Sequence, residues 1–320
     1  MEETEWGIPQ DVLDKIDDEY LCRTLKEVPS SPMISQQILD AIPRKHFDLA
    51  YDTKSKRQKI DLYLPPEVGE GRLVPLVVFI HGGGFMAGDR RDMQVSVYFG
   101  LLNKGYALAS VGYRVSGEAQ FPDPVKDCKA AIRYLKARAI EYGVDPSRFG
   151  VVGNSAGAYM ALMMATTPNI SFLEDKSTGD SSYGTDVRCC IATYAPVDFS
   201  LIDEQKAQEG NDSKPMSNPK VPECLFMGAA VDSLPLESIK AASPAEYLTP
   251  QVPPLMIKAG SEDELVPHTQ SVFFANRAKQ IAGDEKVDFE IVPGASHHDP
   301  AFKRPAFLEE ACAFLDKYLK

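Results

Sequence analysis

The stretch Phe149-Gly-Val-Val-Gly-Asn-Ser-Ala-Gly157, with the apolar residues that follow it, determines how this chain folds. The apolar run 149–152 is typical of a strand buried on both faces, and the segment 156–166 is typical of a buried helix. A strand that turns this sharply into a helix leaves no room for side chains two residues either side of the apex, so glycine is required there. The pattern therefore predicts a strand, a strained turn with Ser155 at its apex, and a helix.

Strands and helices alternate on both sides of this turn. The alternating patterns at 46–51 and 58–64 predict half-buried strands that form an antiparallel edge. The continuous apolar run 76–80 predicts a central strand. Strands that alternate with helices imply an α/β protein with a mostly parallel central sheet flanked by helices, and together with the serine turn they predict the α/β-hydrolase fold. Further strands are predicted at 106–113, 189–194, 255–259 and 288–292, and helices at 93–103, 124–142, 156–166, 269–282 and 306–319.

The 320 residues are predicted to form one catalytic domain, 46–320, with a polar insertion near 198–221. Residues 1–45 are predicted to be an N-terminal helical segment, with helices at 8–20 and 32–42. Ser31 is the expected N-cap of the second helix, with Pro32 at its first position. We expect the segment to pack against the domain, and a cap over the site is the alternative.

A serine hydroxyl is a weak nucleophile until a base removes its proton. In this fold the base follows the nucleophile and the acid along the chain. Two histidines precede Ser155, and His268 lies at the start of a predicted helix, so the loop 293–298 supplies the base. His297 is preferred over its neighbour His298, because adjacent side chains face different ways. The histidines excluded by position are His46, His81 and His268.

The acid must orient the imidazole and stabilise its positive charge. Asp263 lies in the loop directly after the predicted strand 255–259, where this type of sheet places functional residues. Its neighbours Glu262 and Glu264 are expected to face solvent. Asp198, which follows another predicted strand, is the main rival.

A glycine run, His81-Gly82-Gly83-Gly84, follows the predicted central strand. Backbone amides without side chains can approach a reacting centre and stabilise a developing oxyanion. Together with the amide of Ala156, this run predicts a three-donor oxyanion hole. Binding of a nucleotide phosphate is disfavoured, because no Gly-Lys-Ser/Thr follows and no G-x-G-x-x-G opens a helix.

Composition excludes several other classes. A net charge of −12 opposes binding to nucleic acid. The N-terminus lacks the features of a secretory signal, and no apolar run approaches the ~20 residues of a membrane span, so we expect a cytoplasmic protein. The six cysteines match no metal or redox spacing and are expected to be reduced and mostly buried, with Cys189 and Cys190 on opposite faces of a strand. We expect no metal and no cofactor.

Four segments resemble a known family: 81–85 (HGGGF), 153–157 (GNSAG), 260–267 (GSEDELVP) and 294–297 (GASH). They are similar to hormone-sensitive-lipase-like carboxylesterases, and still more to the bacterial branch that includes acetylesterases and feruloyl esterases. The resemblance covers about residues 58–320. It implies Ser155 as nucleophile, Asp263 as acid, His297 as base, and Gly83, Gly84 and Ala156 as oxyanion donors.

The resemblance implies a serine carboxylesterase that acts on small to medium acyl esters, with a small-molecule ester as its partner. The weakly matched segments 1–45 and 198–221 would shape the acyl and alcohol pockets. Two other functions stay open: amide or peptide cleavage on the same triad, as in aryl formamidases, and non-catalytic ligand binding on the same fold. Homo-oligomer formation is also left open.

Overall fold

The structure is a computed structural model, and it describes residues 33–320 except residues 70 and 212. A central eight-stranded sheet is covered by helices on both faces. The strands are β1 (Arg44–Ala50), β2 (Lys59–Leu64), β3 (Val74–Ile80), β4 (Ala107–Val111), β5 (Val144–Asn154), β6 (Cys189–Thr193), β7 (Leu255–Gly260) and β8 (Val287–Val292). The α-helices are α1 (Gln36–Ala41), α2 (Asp123–Arg138), α3 (Ala156–Thr166), α4 (Ile202–Gln208), α5 (Pro222–Met227), α6 (Leu236–Ala241), α7 (His268–Ala282) and α8 (Pro305–Leu319). The 3₁₀ helices are Met93–Lys104, Ser171–Leu173, Val231–Ser233, Pro244–Tyr247, Asp284–Lys286 and Pro300–Lys303.

The strand order is β1-β2-β4-β3-β5-β6-β7-β8. The pairs β1–β2 and β2–β4 are antiparallel, and every other pair is parallel. The predicted mostly parallel sheet with an antiparallel edge is therefore confirmed. Because the carboxyl ends of parallel strands meet at one edge of the sheet, the loops after β3, β5, β7 and β8 converge there.

Two apolar clusters lie on the two faces of the sheet. One contains the buried side chains of α2, α3 and α7, and the other contains those of the 3₁₀ helix Met93–Lys104 and of α8. Cys190 belongs to the first cluster and Cys189 to the second, as expected for neighbours on a strand. Both faces of β3 are fully buried, which explains why its sequence shows no polar alternation.

The prediction for the N-terminal segment needs one correction. The helix α1 begins at Gln36, with Ser35 rather than Ser31 as its N-cap, and the Ser35 hydroxyl accepts a hydrogen bond from the Ile38 amide. The start is delayed because Met33 is extended and forms a bridge with Asp92. The helix predicted at 8–20 lies outside the described residues.

The insertion near 198–221 is not purely loop. It contains α4 and leads directly into α5, which begins at Pro222. The Pro222 ring packs against Gly84, since a Cβ placed on Gly84 would lie 3.4 Å from it. The end of the insertion therefore borders the glycine run after β3.

Candidate active site

Ser155 lies between β5 and α3 with φ 54° and ψ −127°, a backbone conformation that is unfavourable for a residue with a side chain. The two glycines of the turn allow it. A Cβ on Gly153 would lie 2.2 Å from the Gly157 carbonyl oxygen, and a Cβ on Gly157 would lie 2.1 Å from the Ile80 carbonyl oxygen. The turn therefore requires glycine at both positions.

A chain of hydrogen bonds connects the three residues selected from the sequence. The Ser155 hydroxyl oxygen lies 2.9 Å from His297 Nε2, and His297 Nδ1 lies 2.7 Å from Asp263 Oδ2. All three residues are buried. The structure thus brings together side chains from the loops after β5, β7 and β8, which are 142 and 34 residues apart along the chain.

Asp263 is held in place by its own loop. Its Oδ1 accepts hydrogen bonds from the amides of Leu265 and Val266, both at 2.9 Å, which leaves Oδ2 for His297. Its neighbours Glu262 and Glu264 are exposed, as expected. The rival Asp198 instead accepts hydrogen bonds from the amide and hydroxyl of Ser200. Asp263, and not Asp198, therefore contacts the imidazole.

The His297 ring lies among aromatic rings. The ring of Tyr194 is 4.6 Å from it, centre to centre, and the ring of His298 is also 4.6 Å away. Burial lowers the pKa of His298 well below its usual range, and a positive charge on the neighbouring His297 or Lys303 would act in the same direction. His298 is therefore neutral at neutral pH and packs against the site.

The glycine run lies directly against the serine turn. A Cβ on Gly82 would lie 3.3 Å from the Ser155 Cβ. Gly83 and Gly84 have positive φ angles of 127° and 57°. Within residues 33–320, as far as the structure describes them, the amides of Gly83 and Gly84 have no hydrogen-bond acceptor. The amide of Ala156 has none within its helix, because it is the first residue of α3. These three amides are therefore free to bind an oxyanion.

His81, which position along the chain excluded as the base, holds the glycine run in place. Its Nδ1–H donates to the Gly82 carbonyl at 2.9 Å, and its ring stacks on Tyr113 at 4.4 Å. The Tyr113 hydroxyl donates to the His81 carbonyl at 3.0 Å. Burial lowers the pKa of His81 to about 4, so the ring is neutral at neutral pH.

Glu223 is a residue that the sequence analysis missed. It lies in the first turn of α5, next to Pro222. Burial raises the pKa of its carboxyl group, while the charge of Lys206 and any positive charge on His297 act in the opposite direction. An ionisable group thus lies within electrostatic reach of His297. No motif marks Glu223 in the sequence, since it follows the weakly matched insertion.

Neither a metal cluster nor a membrane-spanning helix is present in the described part of the chain. No group of three or more His, Cys, Asp or Glu side chains in it is arranged to hold a metal ion. Among the helices that the structure describes, none is both long enough and apolar enough to cross a membrane.

The sheet order, the crossover helices and the strained serine turn define an α/β-hydrolase fold. Residues 60–278 match the BD-FAE family model, and the chain belongs to this family. This agrees with the resemblance seen in the sequence, which included feruloyl esterases and related carboxylesterases.

The curated relatives carry esterase names. Esterase LipQ of Mycobacterium tuberculosis is 27% identical over 250 residues, which is 78% of this chain and 56% of LipQ. The "probable carboxylic ester hydrolase LipM" of the same organism is 25% identical over 244 residues, which is 76% of this chain and 54% of LipM. The chain therefore spans about half the length of the curated relatives that it matches.

Solved structures share the fold. A truncated carbohydrate esterase from gut microbiota superimposes with a TM-score of 0.76 at 24% identity, covering 89% of this chain and 98% of that one. A thermophilic esterase from Thermogutta terrifontis, solved with propionate bound, gives a TM-score of 0.67 at 23% identity, covering 86% and 95% of the two chains. At these identities the similarity shows the fold alone.

Proposed function

We propose that this protein is a serine carboxylesterase that hydrolyses small to medium acyl esters through an acyl-enzyme intermediate. The observation that supports this best is the continuous hydrogen-bonded chain from the Ser155 hydroxyl through His297 to Asp263. An isolated buried serine would lack both the base and the acid. The assignment of residues 46–320 as the catalytic domain is part of this proposal.

In the proposed first step, the Ser155 Oγ attacks the ester carbonyl while His297 Nε2 takes the hydroxyl proton. Asp263 accepts the Nδ1–H of His297, which fixes the tautomer and stabilises the imidazolium. The carbonyl oxygen becomes an oxyanion, which accepts hydrogen bonds from the amides of Gly83, Gly84 and Ala156.

The intermediate then collapses. The bond between the carbonyl carbon and the alcohol oxygen breaks, and His297 returns its proton to the leaving alcohol. A water molecule next loses a proton to His297 and attacks the acyl-enzyme. The second collapse releases the carboxylic acid and restores the Ser155 hydroxyl.

One similarity supports an ester as substrate. The curated relatives LipQ and LipM are named as esterases. Cytoplasmic location stays a prediction from the sequence, and homo-oligomer formation stays open.

The test is a panel of p-nitrophenyl esters with acyl chains of increasing length, run beside acyl and aminoacyl anilides. We expect ester turnover that is highest for short and medium chains, and we expect Ser155→Ala to abolish it. Faster turnover of the anilides would favour the amidase alternative. If wild type and Ser155→Ala were equally inactive on the whole panel, and both bound a small ligand, the non-catalytic alternative would replace the proposal.

A further inference from the structure

The amide of Gly82, the first glycine of the run, donates a hydrogen bond to the side-chain oxygen Oε1 of Gln94 at 2.9 Å. Gln94 is the second residue of the 3₁₀ helix Met93–Lys104, an element that plays no part in the triad. Because Gly82 also lies against the Ser155 turn, this hydrogen bond sets the orientation of the peptide group directly before the two glycine amides that are free to bind an oxyanion.

Asp92 determines which end of the Gln94 amide faces Gly82. The Oδ2 of Asp92 accepts a hydrogen bond from Gln94 Nε2 at 2.8 Å, and its Oδ1 accepts one from the Gln94 backbone amide at 2.9 Å. Asp92 is buried. An amide group has one donor end and one acceptor end. Because the Gly82 N–H can only donate, the end that faces Gly82 is the oxygen, and the NH₂ faces Asp92. The oxygen of Gln94 is therefore presented to Gly82.

The next peptide group, which joins Gly82 to Gly83, is held by His81, whose Nδ1–H donates to the Gly82 carbonyl. The glycine itself supplies no side chain to restrain the backbone, and Gly83 and Gly84 are conformationally permissive. The hydrogen bonds from Gln94 and His81 therefore replace the restraint that side chains would otherwise supply.

We propose that Gln94, oriented by Asp92, is a positioning residue that preorganises the oxyanion amides of Gly83 and Gly84. It acts through Gly82 and does not touch substrate. The inference rests on the proposed function, because it gives these amides a role in ester hydrolysis. Preorganised donors stabilise mainly the transition state. We therefore expect the loss of Gln94 to lower kcat rather than to raise KM.

Gln94→Met is the first test variant, because methionine has a similar shape and no strong acceptor. We expect its kcat, counted per active site by stoichiometric titration of Ser155 with a fluorophosphonate, to fall at least about tenfold, with KM changed less than about twofold. A residue that only stabilised the fold would lower the amount of titratable protein and leave kcat per site unchanged.

A reversed pair keeps the test decisive if Gln94→Met folds poorly. In the double variant Asp92→Asn/Gln94→Glu, the new amide at position 92 donates to one oxygen of the new carboxylate at position 94. The other oxygen of that carboxylate accepts from Gly82. Gln94→Glu alone places the new carboxylate beside that of Asp92, and the two groups repel each other. We expect the single variant to lose activity and the double variant to recover kcat to within about threefold of wild type.

Other outcomes would overturn the inference. These are an unchanged kcat in Gln94→Met, a change confined to KM, or a double variant that is no better than Gln94→Glu. A parallel assay of Ser155→Ala separates this failure from failure of the proposed function. If Ser155→Ala is inactive while Gln94→Met keeps the wild-type kcat, only the role of Gln94 is lost. If Ser155→Ala retains wild-type activity, both the role of Gln94 and the proposed function are contradicted.

Discussion

The hydrogen-bond partners of two aspartates separate their roles at the scale of single residues. Asp263 divides its two oxygens between its own loop and His297. Asp198 is also buried and also follows a strand of the sheet, yet its hydrogen bonds go to Ser200. Burial and position at a strand end are thus shared by both residues, and contact with the imidazole is what distinguishes them.

We expect Asp263→Asn to reduce kcat on a p-nitrophenyl ester by roughly 10⁴-fold, because an amide in this place favours the wrong tautomer of His297. The protein should remain folded, since an asparagine oxygen can still accept from the Leu265 and Val266 amides. Steady-state kinetics together with circular dichroism would measure both effects.

Asp198→Asn is the matched control for this prediction. It makes the same chemical change at a second buried aspartate, and we expect kcat to change by less than about tenfold. If the two variants lost similar activity, or if Asp198→Asn lost more, the assignment of the acid would be wrong.

Three hydrogen-bonded residues, Ser155, His297 and Asp263, could be selected from the sequence because each carries a local signal: a glycine-bounded serine, and a carboxylate and a histidine in loops that follow strands in the required order. Their catalytic roles stay a prediction. The contact of Gln94 with Gly82 and the position of Glu223 beside the site could not be selected in this way. Gln94 lies 12 residues after Gly82 in the sequence, and nothing in the residues between them specifies that they are in contact. Such contacts depend on how separate elements pack, which a single sequence does not display.

At the scale of elements, β3, β5 and α3 approach one another at the serine turn more closely than side chains would allow. The Cα of Gly157 faces the backbone at the end of β3, and the Cα of Gly153 faces the start of α3. Because both neighbours are backbone, neither can move aside without disturbing the sheet. The glycines are therefore required by packing as well as by the turn.

We expect Gly157→Ala to destabilise the protein by about 3 kcal/mol, because the new Cβ would lie 2.1 Å from the Ile80 carbonyl oxygen. Gly105→Ala is the control. Gly105 has a φ of 79°, and a Cβ added there would meet nothing within 4 Å, so only backbone strain of about 1 kcal/mol is expected. Urea unfolding followed by circular dichroism would compare the two, and equal losses would show that crowding at the turn is unimportant.

The strands and long helices that the sequence predicts have ends within about five residues of the predicted ones, because their apolar periodicity is strong. The N-cap of α1 was predicted wrongly. Ser31 and Pro32 form a good local start signal, yet the bridge from Met33 to Asp92 keeps the chain extended until Ser35. Asp92 lies far along the chain, so a long-range pairing overrides the local preference.

At the scale of the whole molecule, the described part of the N-terminal segment belongs to the core. Ile34, Leu39 and Ile42 are buried in the same apolar cluster as the 3₁₀ helix Met93–Lys104 and α8. This cluster lies on the sheet face opposite α3. Residues 33–42 thus pack against the core in this structure, and packing rather than a cap stays a prediction for the segment 1–45.

We expect Leu39→Ala to cost about 3 kcal/mol of unfolding free energy and to leave kcat per titrated active site unchanged. The neighbouring Ile38 is 37% exposed, so Ile38→Ala should cost under about 1 kcal/mol. A fall in kcat or a rise in KM for Leu39→Ala, with stability intact, would instead favour a cap.

The pH dependence of folding offers a last test, since one buried carboxyl group has an unusual pKa. Burial raises the pKa of Asp92 to about 7, the negative charge of Asp89 adds to this, and donors from Gln94 and Asp89 oppose it. In the unfolded chain the group titrates near its ordinary value of about 4. Between these two values the folded protein holds a proton that the unfolded chain has lost.

The contribution of Asp92 to stability is therefore complete below about pH 4 and is lost as the pH rises towards 7. We expect wild type to lose stability relative to Asp92→Asn across this window, by on the order of 1 kcal/mol per pH unit.

Asp175→Asn serves as the control, because the hydrogen bond from Lys54 lowers the pKa of Asp175. The stabilisation from Asp175 is present above about pH 4 and is lost only below it, so that variant should run parallel to wild type from pH 4 to 7. Urea unfolding at each pH would show the difference, and parallel curves for wild type and Asp92→Asn would mean that folding does not raise the pKa of Asp92.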